Sequence, residues 1–520
     1  MPKLAIIAST LLLAGAASAD SLPLRVWQFQ DYNMDHIKRL IDMAAEQHVN
    51  RIQLSHNIVM DVEHPLGNPQ LVRDINTICQ WADAKNIKVD MWTHELNGIP
   101  KDLRVNGKVD LDAPELWDFI RGKYRKLFDM CPDLDGLVLS MKETAMSIYD
   151  ERSVESSISP EKRVAKLIDQ MGSVCKSFNK QFFVRTFSYE PHELQFIKQG
   201  IIEAQCDFVV MSKCVPHDWQ PYYPHNPIIG DVGGKPQIVE FDLGYEFLGL
   251  STIPYINIDY LKMRLDHGVS RNILGAVLRI ERLGWRAVDT PNQANIDVFT
   301  KMLLNPSADP HELYKQWLAD RYGEQAVPHL FSAFMRTYDI VNKGYFVLGY
   351  WVTNHSKLPT YDYATKSLGR RTTAKWDPST KPTQDELWNP TRQTIAKINA
   401  EKDEALALVN ESIADIEKAK PFLSEKDYAD LADLFQREKA MVVVWKAGMD
   451  IIFGVQVYQS TKSEDDKAFL LDAADRLEKL AAENKQHLVN MAADYGSPQR
   501  VENFYRANEL VKLARKTAGG

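Results

Sequence analysis

Three carboxylates stand where short apolar runs end: Glu143 closes LVLSMKE, Asp218 follows Lys213 in KCVPHD, and Glu246 follows Asp242 in DLGYE. Breaking a glycosidic bond asks for this kind of set. One carboxylic acid protonates the departing oxygen, and a second carboxylate attacks the sugar or activates a water. Glu143 comes directly after an apolar strand, a setting expected to raise its pKa and keep it protonated for acid duty. Trp219 beside Asp218, and Tyr245 and Phe247 beside Glu246, offer ring faces that suit a sugar-sized cavity. Two cations end neighbouring runs, Arg185 in FFVRTFSY and Lys213 in CDFVVMSK. An Arg grips a carboxylate with two parallel hydrogen bonds and a Lys acts as a point charge, so the pair fits a negatively charged sugar. Their other role would be to neutralise the acidic cluster. His94 and Glu95, closing KVDMWTHE, complete the candidate substrate-binding set.

Such residues are useful only if one scaffold brings them to one face. From Leu24 to Glu281 the chain alternates short β-branched or aromatic runs with amphipathic stretches, the mark of repeated β-α units around a parallel sheet. The runs are Leu24 to Phe29, Arg51 to His56, Lys88 to Glu95, Gly136 to Glu143, Phe182 to Tyr189, Cys206 to Lys213, Gln237 to Gly244 and Asn272 to Glu281. Eight parallel strands close into a barrel, where five or six would stay open. The spacing therefore predicts an α/β chain with a (β/α)8 TIM barrel over 20–305, its active site at the C-terminal strand ends. Helices are expected at Asp35 to Gln47, with Ile37, Leu40, Ile41 and Ala44 on one face, and at Pro160 to Phe178.

Beyond Asn305 the pattern turns helical, predicting an all-α C-terminal domain over 306–520. Helices are expected at Pro310 to Tyr322, Ala326 to Asn342, Thr394 to Lys420, Glu425 to Val457, Glu464 to Asp494 and Gln499 to Lys516. An aromatic, Pro-containing loop over 344–390 interrupts them, and a long loop of this kind is either a lid or self-packed. Apolar faces on helices this long must be buried against the barrel, each other or a second subunit, so a homodimer is one expected arrangement.

The segment Lys213-Cys-Val-Pro-His-Asp218-Trp-Gln220, then Gln237-Ile-Val-Glu240 and Tyr245-Glu246-Phe-Leu-Gly249, resembles the α-glucuronidases of glycoside hydrolase family 67. There a Lys precedes an Asp-Phe-Gln motif and a Gln-Glu-Tyr-Leu-Gly motif follows. The resemblance implies that Asp218 and Glu246 together activate water, that Glu143 is the general acid, and that Arg185 and Lys213 bind substrate. Gln293-Ala-Asn295 is similar to the family's segment after the eighth strand. Thr-Ala-Met-Ser follows Glu143 where the family has a Gly-rich loop, and Leu139 stands where it has a Lys. The implied activity is release of α-linked glucuronic acid, or its 4-O-methyl form, from uronic-acid-containing oligosaccharides by inversion, with no cofactor and no metal.

Composition narrows the alternatives. The chain has 520 residues, 45% hydrophobic and 25% charged, and its net charge of −8 carries no basic block. Nucleic acid is therefore not an expected partner. Lys3, the apolar run Leu4 to Ala14 and Ala17-Ser18-Ala19 match a secretory leader (1–19) cleaved after Ala19. A secreted or periplasmic protein without membrane attachment is the expected product, since the run is too short for a span. Five cysteines, an odd number without zinc spacing, read as small buried residues and not as a disulfide framework. Two rivals stand beside the glycosidase. A metal-dependent barrel hydrolase would use His56, His94, Glu95 and His217, and full activity in chelator would discard it. A non-catalytic protein binding acidic sugars would keep Arg185 and the aromatics but have no use for three converging carboxylates.

Overall fold

Each apolar run forms a strand. In the computed structural model, which describes residues 21–144, 146–282, 284–353, 355–493 and 502–519, the strands are Leu24–Phe29, Arg51–Leu54, Lys88–His94, Gly136–Ser140, Gln181–Arg185, Val209–Lys213, Gln237–Asp242 and Gly275–Arg279. Every strand pairs in parallel with its neighbours, and the first pairs with both the second and the eighth, closing the barrel. At the closure a Cβ on Gly275 would collide with the Leu24 carbonyl oxygen, so no other residue fits there. The segment 1–20, with the expected leader, lies outside the described residues.

Strand alternation decides which side chains reach the site. Val26, Trp92, Val138, Phe183, Met211, Ile238 and Val277 form an apolar cluster that fills the barrel interior. Side chains two positions on share that face. Two positions on from Val138, Phe183, Met211, Ile238 and Val277 come Ser140, Arg185, Lys213, Glu240 and Arg279, and after Val26 and Trp92 come Gln28 and His94. A dry floor thus carries a polar layer at the C-terminal mouth.

Helices cover the outside. Met34–Glu46 buries Ile37, Leu40, Ile41 and Ala44, the face expected from spacing, and Asn33 caps its start by accepting from the His36 amide at 3.0 Å. Proline opens the helices Pro69–Asp83, Pro114–Met130, Pro160–Ser177 and Pro191–Glu203, where its missing N–H costs nothing. One crossover departs from the pattern: 214–236, between the sixth and seventh strands, contains no helix. Pro216, Pro221, Pro224 and Pro227 forbid one, and Asn226 braces the loop by donating to the Lys213 carbonyl at 3.1 Å. This loop carries Asp218.

The C-terminal region is helical. Arg392–Ala419 and Glu425–Thr461 pack together across a short turn. By length and composition Glu425–Thr461 could cross a bilayer, but its apolar residues are mostly buried inside the protein. The expected helix Ala326 to Asn342 breaks into Val327–Met335 and Thr337–Tyr345, and Glu464 to Asp494 breaks at Asn484 into Glu464–Glu483 and Lys485–Ala493, with Asp494 outside the described residues. The segment 344–390 is not one loop. It holds the helices Tyr361–Arg370, capped by Thr360, and Lys381–Trp388, which bury Ala364, Leu368 and Leu387. The five cysteines are unbridged, four of them buried.

Glu438 lies within this helical core, fully buried, with neither oxygen hydrogen-bonded among the described residues. Burial pushes its carboxyl well above the usual 4.5. The unfolded chain ionises this group as pH rises past that value and the folded chain does not, so stability falls with pH until the folded pKa is reached. Glu438→Gln is expected to raise stability at neutral pH by about 1–3 kcal/mol and to flatten that decline, read as melting temperature against pH.

Candidate active site

The polar layer opens into a cavity of about 140 Å³ at the C-terminal mouth. At roughly 10–15 Å³ per water it displaces about ten waters, the scale of one sugar ring. Glu143, Asp218, Glu240 and Glu246 line it, opposed by Arg185, Lys213, Arg279, Arg282 and Arg371. His56, Tyr189, Phe247 and His355 complete the wall.

Most of these charges are tied to one another. Arg185 donates from Nε and Nη2 to the two oxygens of Glu240 at 2.7 and 3.3 Å, and from Nη1 to Ser140 Oγ at 3.0 Å and Glu143 Oε2 at 3.4 Å. Its guanidinium lies over Trp92 at 4.7 Å. Lys213 donates to Asp218 Oδ1 at 2.9 Å, its ammonium 3.8 Å from the Phe187 ring centre and 4.6 Å from that of Trp219. Arg279 and Arg282 each take one oxygen of Glu246, at 3.0 and 2.9 Å, with His355 Nε2 3.3 Å from the second. Behind the wall Asp242 accepts the Glu246 amide at 3.0 Å.

Burial alone would favour protonating Asp218 and Glu246, but neighbouring cations outweigh it. Lys213 and Arg371 act on Asp218, and Arg282 and Arg279 on Glu246, which also takes a hydrogen bond from the His355 ring, so both carboxyls stay well below the usual range. Burial holds His56 well below an ordinary histidine, reinforced by Arg282 and Arg279, and pushes His217 down to about 4. Both rings are neutral at pH 7.

Glu143 is held differently. It is 35% exposed, with its Arg185 contact at 3.4 Å. The apolar setting expected for it is absent, because the chain turns away from the strand at Ser140. Lys142 and Glu143 both have left-handed backbones, φ 62° and 59°. Two such residues cost on the order of 1–3 kcal/mol each and persist only where surroundings enforce them. Glu95 is the enforcer. Buried, it accepts the Lys142 amide at 3.0 Å, Ser147 Oγ at 2.9 Å and the Ile148 amide at 3.2 Å. Burial pushes its pKa up to about 7, against these hydrogen bonds. Positive φ also occurs at two other cavity-lining residues, His56 and His355.

Of the residues expected at the site, Glu143, Asp218, Glu246, Arg185 and Lys213 converge on the cavity. Trp219, His94 and Glu95 do not line it. Trp219 is buried beneath Lys213 and Arg279. His94 is turned into the wall, its Nδ1 3.1 Å from both Asp61 Oδ1 and the Met60 carbonyl. Glu95 holds the loop bearing Glu143, and Tyr245 packs away against Tyr255. Asn295 donates to the Tyr255 carbonyl at 2.8 Å, bracing the loop after the seventh strand. The four residues of the metal alternative do not converge, and among the described residues no group of three or more His, Cys, Asp or Glu is placed to hold a metal.

The structure adds Glu240, Arg279, Arg282, His355 and Arg371. Glu240 and Arg279 carry a legible signal, each lying two residues after an inward apolar residue, Ile238 and Val277. His355 and Arg371 come from the helical region. Their segment is latched over the barrel by Gln220, which donates to the Gly349 carbonyl at 2.9 Å, and by Tyr223, whose hydroxyl donates to the Arg371 carbonyl at 3.0 Å. Glu95→Gln, which puts an amide donor where three donors now converge, is expected to lower kcat by about 10- to 100-fold with KM nearly unchanged, as steady-state kinetics on an oligosaccharide with a sugar leaving group would show.

No protein-family model and no curated protein matches the sequence. Among solved structures, a GH138 enzyme targeting pectin rhamnogalacturonan II is similar at TM-score 0.64 and 12% identity, over 99% of this chain and 87% of that one. A mutant of the Thermobaculum terrenum O-GlcNAc hydrolase is similar at TM-score 0.46 and 10% identity, over 95% and 94%. CpGH84D is similar at 0.45 and 10%, over 96% and 76%. The first of these likenesses establishes a shared fold: the closed eight-stranded barrel with its helical region is an architecture found in a glycoside hydrolase.

Proposed function

We propose that the protein is a glycoside hydrolase that removes an α-linked uronic acid, glucuronic acid or its 4-O-methyl form, from an oligosaccharide. One observation carries this reading: a cavity of one-sugar size lined by carboxylates held in different ways and by an excess of cations. Asp218 and Glu246 are kept ionised, as a base must be, while Glu143 sits partly exposed at the mouth with Arg185 3.4 Å away, where a leaving oxygen can reach it. The fold shared with an enzyme acting on pectin, an acidic polysaccharide, supports the same substrate class.

In this mechanism Glu143 donates its proton to the glycosidic oxygen as the C–O bond breaks. A water attacks the anomeric carbon from the opposite face, and Asp218 with Glu246 takes its proton, leaving the inverted hemiacetal. An acidic substrate aids this step. Its carboxylate shares the cations now acting on Asp218 and Glu246, which raises their proton affinity toward that of a working base. Incubation with a panel of uronic-acid-decorated and neutral oligosaccharides, with identification of any released monosaccharide, tests the proposal. Free uronic acid is the expected product. Release of a neutral sugar alone, or of none, would overturn it.

A further inference from the structure

Resting on the reading that this cavity accepts an acidic sugar, we infer that the sugar's carboxylate is gripped by Arg282 and Arg371, one from the barrel and one from the helical region, and not by Arg185 and Lys213. A cation can hold an external carboxylate only with donors that the protein has not already used. Arg185 spends Nε and Nη2 on Glu240 and Nη1 on Ser140 and Glu143. Lys213 gives one of its three donors to Asp218, and the rings of Phe187 and Trp219 cover its ammonium, which is 4% exposed, so little of it faces a ligand.

Arg282 and Arg371 differ. Nη2 of Arg282 reaches Glu246, but its Nη1 is buried with no hydrogen-bond partner among the described residues. The Arg282 side chain is 14% exposed and borders the cavity, so a ligand carboxylate there would meet guanidinium donors that Glu246 leaves unused. Arg371 donates from Nη1 to the Tyr363 hydroxyl at 2.7 Å and lies over Trp351 at 4.8 Å and Phe247 at 5.8 Å. These contacts orient the planar group while leaving it without a carboxylate in direct contact among the described residues, and Asp218 and Glu246 act on it only through space. Both arginines line the same cavity. A uronate seated there spans barrel and helical region, so 344–390 serves as part of the binding site. A neutral hexose, with a hydroxymethyl group in place of the carboxylate, leaves both arginines unmet.

Calorimetric titration of wild type, Arg282→Met and Arg371→Met with d-glucuronate and with d-glucose tests this, alongside kcat and KM on an aryl α-glucuronide. Wild type is expected to prefer glucuronate by about 10- to 100-fold, and each substitution to remove most of that preference. A preference retained in both variants, or absent from wild type, overturns the inference. The two readings fail separately. If wild type hydrolyses no uronide but the variants lose glucuronate preference, the hydrolase reading falls and the receptor stands. If uronides are hydrolysed and both variants keep the wild-type KM and preference, the receptor falls alone. Should either methionine variant fail to fold by circular dichroism, Tyr363→Phe decides, since it only releases Arg371: weakened glucuronate binding supports the inference and unchanged binding overturns it.

Discussion

Glu143→Gln is expected to cut turnover of an unactivated α-uronoside by about 10²- to 10⁴-fold, the usual contribution of a positioned proton donor, with KM little changed. Glutamine keeps the size of the side chain and can still accept from Arg185 Nη1, but it has no proton to give the departing oxygen. The loss should depend on the leaving group. A nitrophenyl uronoside, whose phenolate leaves without protonation, should lose far less than an oligosaccharide whose leaving group is a sugar alkoxide. Comparing the two substrates separates acid catalysis from misfolding, which would lower both equally. Unchanged turnover of the oligosaccharide would remove Glu143 from this role.

The second large effect concerns Arg185, which the family resemblance assigns to substrate. In the structure it is 3% exposed and Glu240 is fully buried, joined through two hydrogen bonds. Removing one member of a buried pair leaves a desolvated charge, at a cost of about 3–5 kcal/mol, whereas replacing both by apolar groups is often close to neutral. Arg185→Met is therefore expected to lower the melting temperature clearly, and Arg185→Met combined with Glu240→Leu to recover most of it. Neither should be active, because Arg185 also steadies Glu143 at 3.4 Å. Full stability of the single variant, seen by thermal unfolding, would contradict the pairing.

The barrel was legible because each strand is a dense apolar run ending in a polar residue, and because strands of this kind obey a period of two. That period extends further than the ends of the runs. Counting two residues on from Ile238 and Val277 reaches Glu240 and Arg279, which lie inside their runs and look unremarkable without the phase. Adjacency in sequence misleads for Trp219, His94 and Glu95. Each is next to a cavity residue or at a strand end, yet His94 turns to Asp61 and Glu95 to backbone amides, partners supplied by neighbouring loops. His355 and Arg371 had no local signal, since only tertiary packing carries them to the mouth. Pro359, Pro378 and Pro382 break 344–390 into pieces too short for clear helical periodicity, which conceals the helices that aim Arg371.

Proton NMR of the wild-type protein acting on an α-linked glucuronosyl oligosaccharide tests the central claim most directly, recorded before the released sugar mutarotates. If Glu143 acts from one face and Asp218 with Glu246 activates water on the other, the first signal to grow is that of β-glucuronic acid, with the α form appearing later as the sugar equilibrates. Initial release of the α form would contradict the division of roles among these carboxylates, and the absence of any free uronic acid would contradict the proposed function itself.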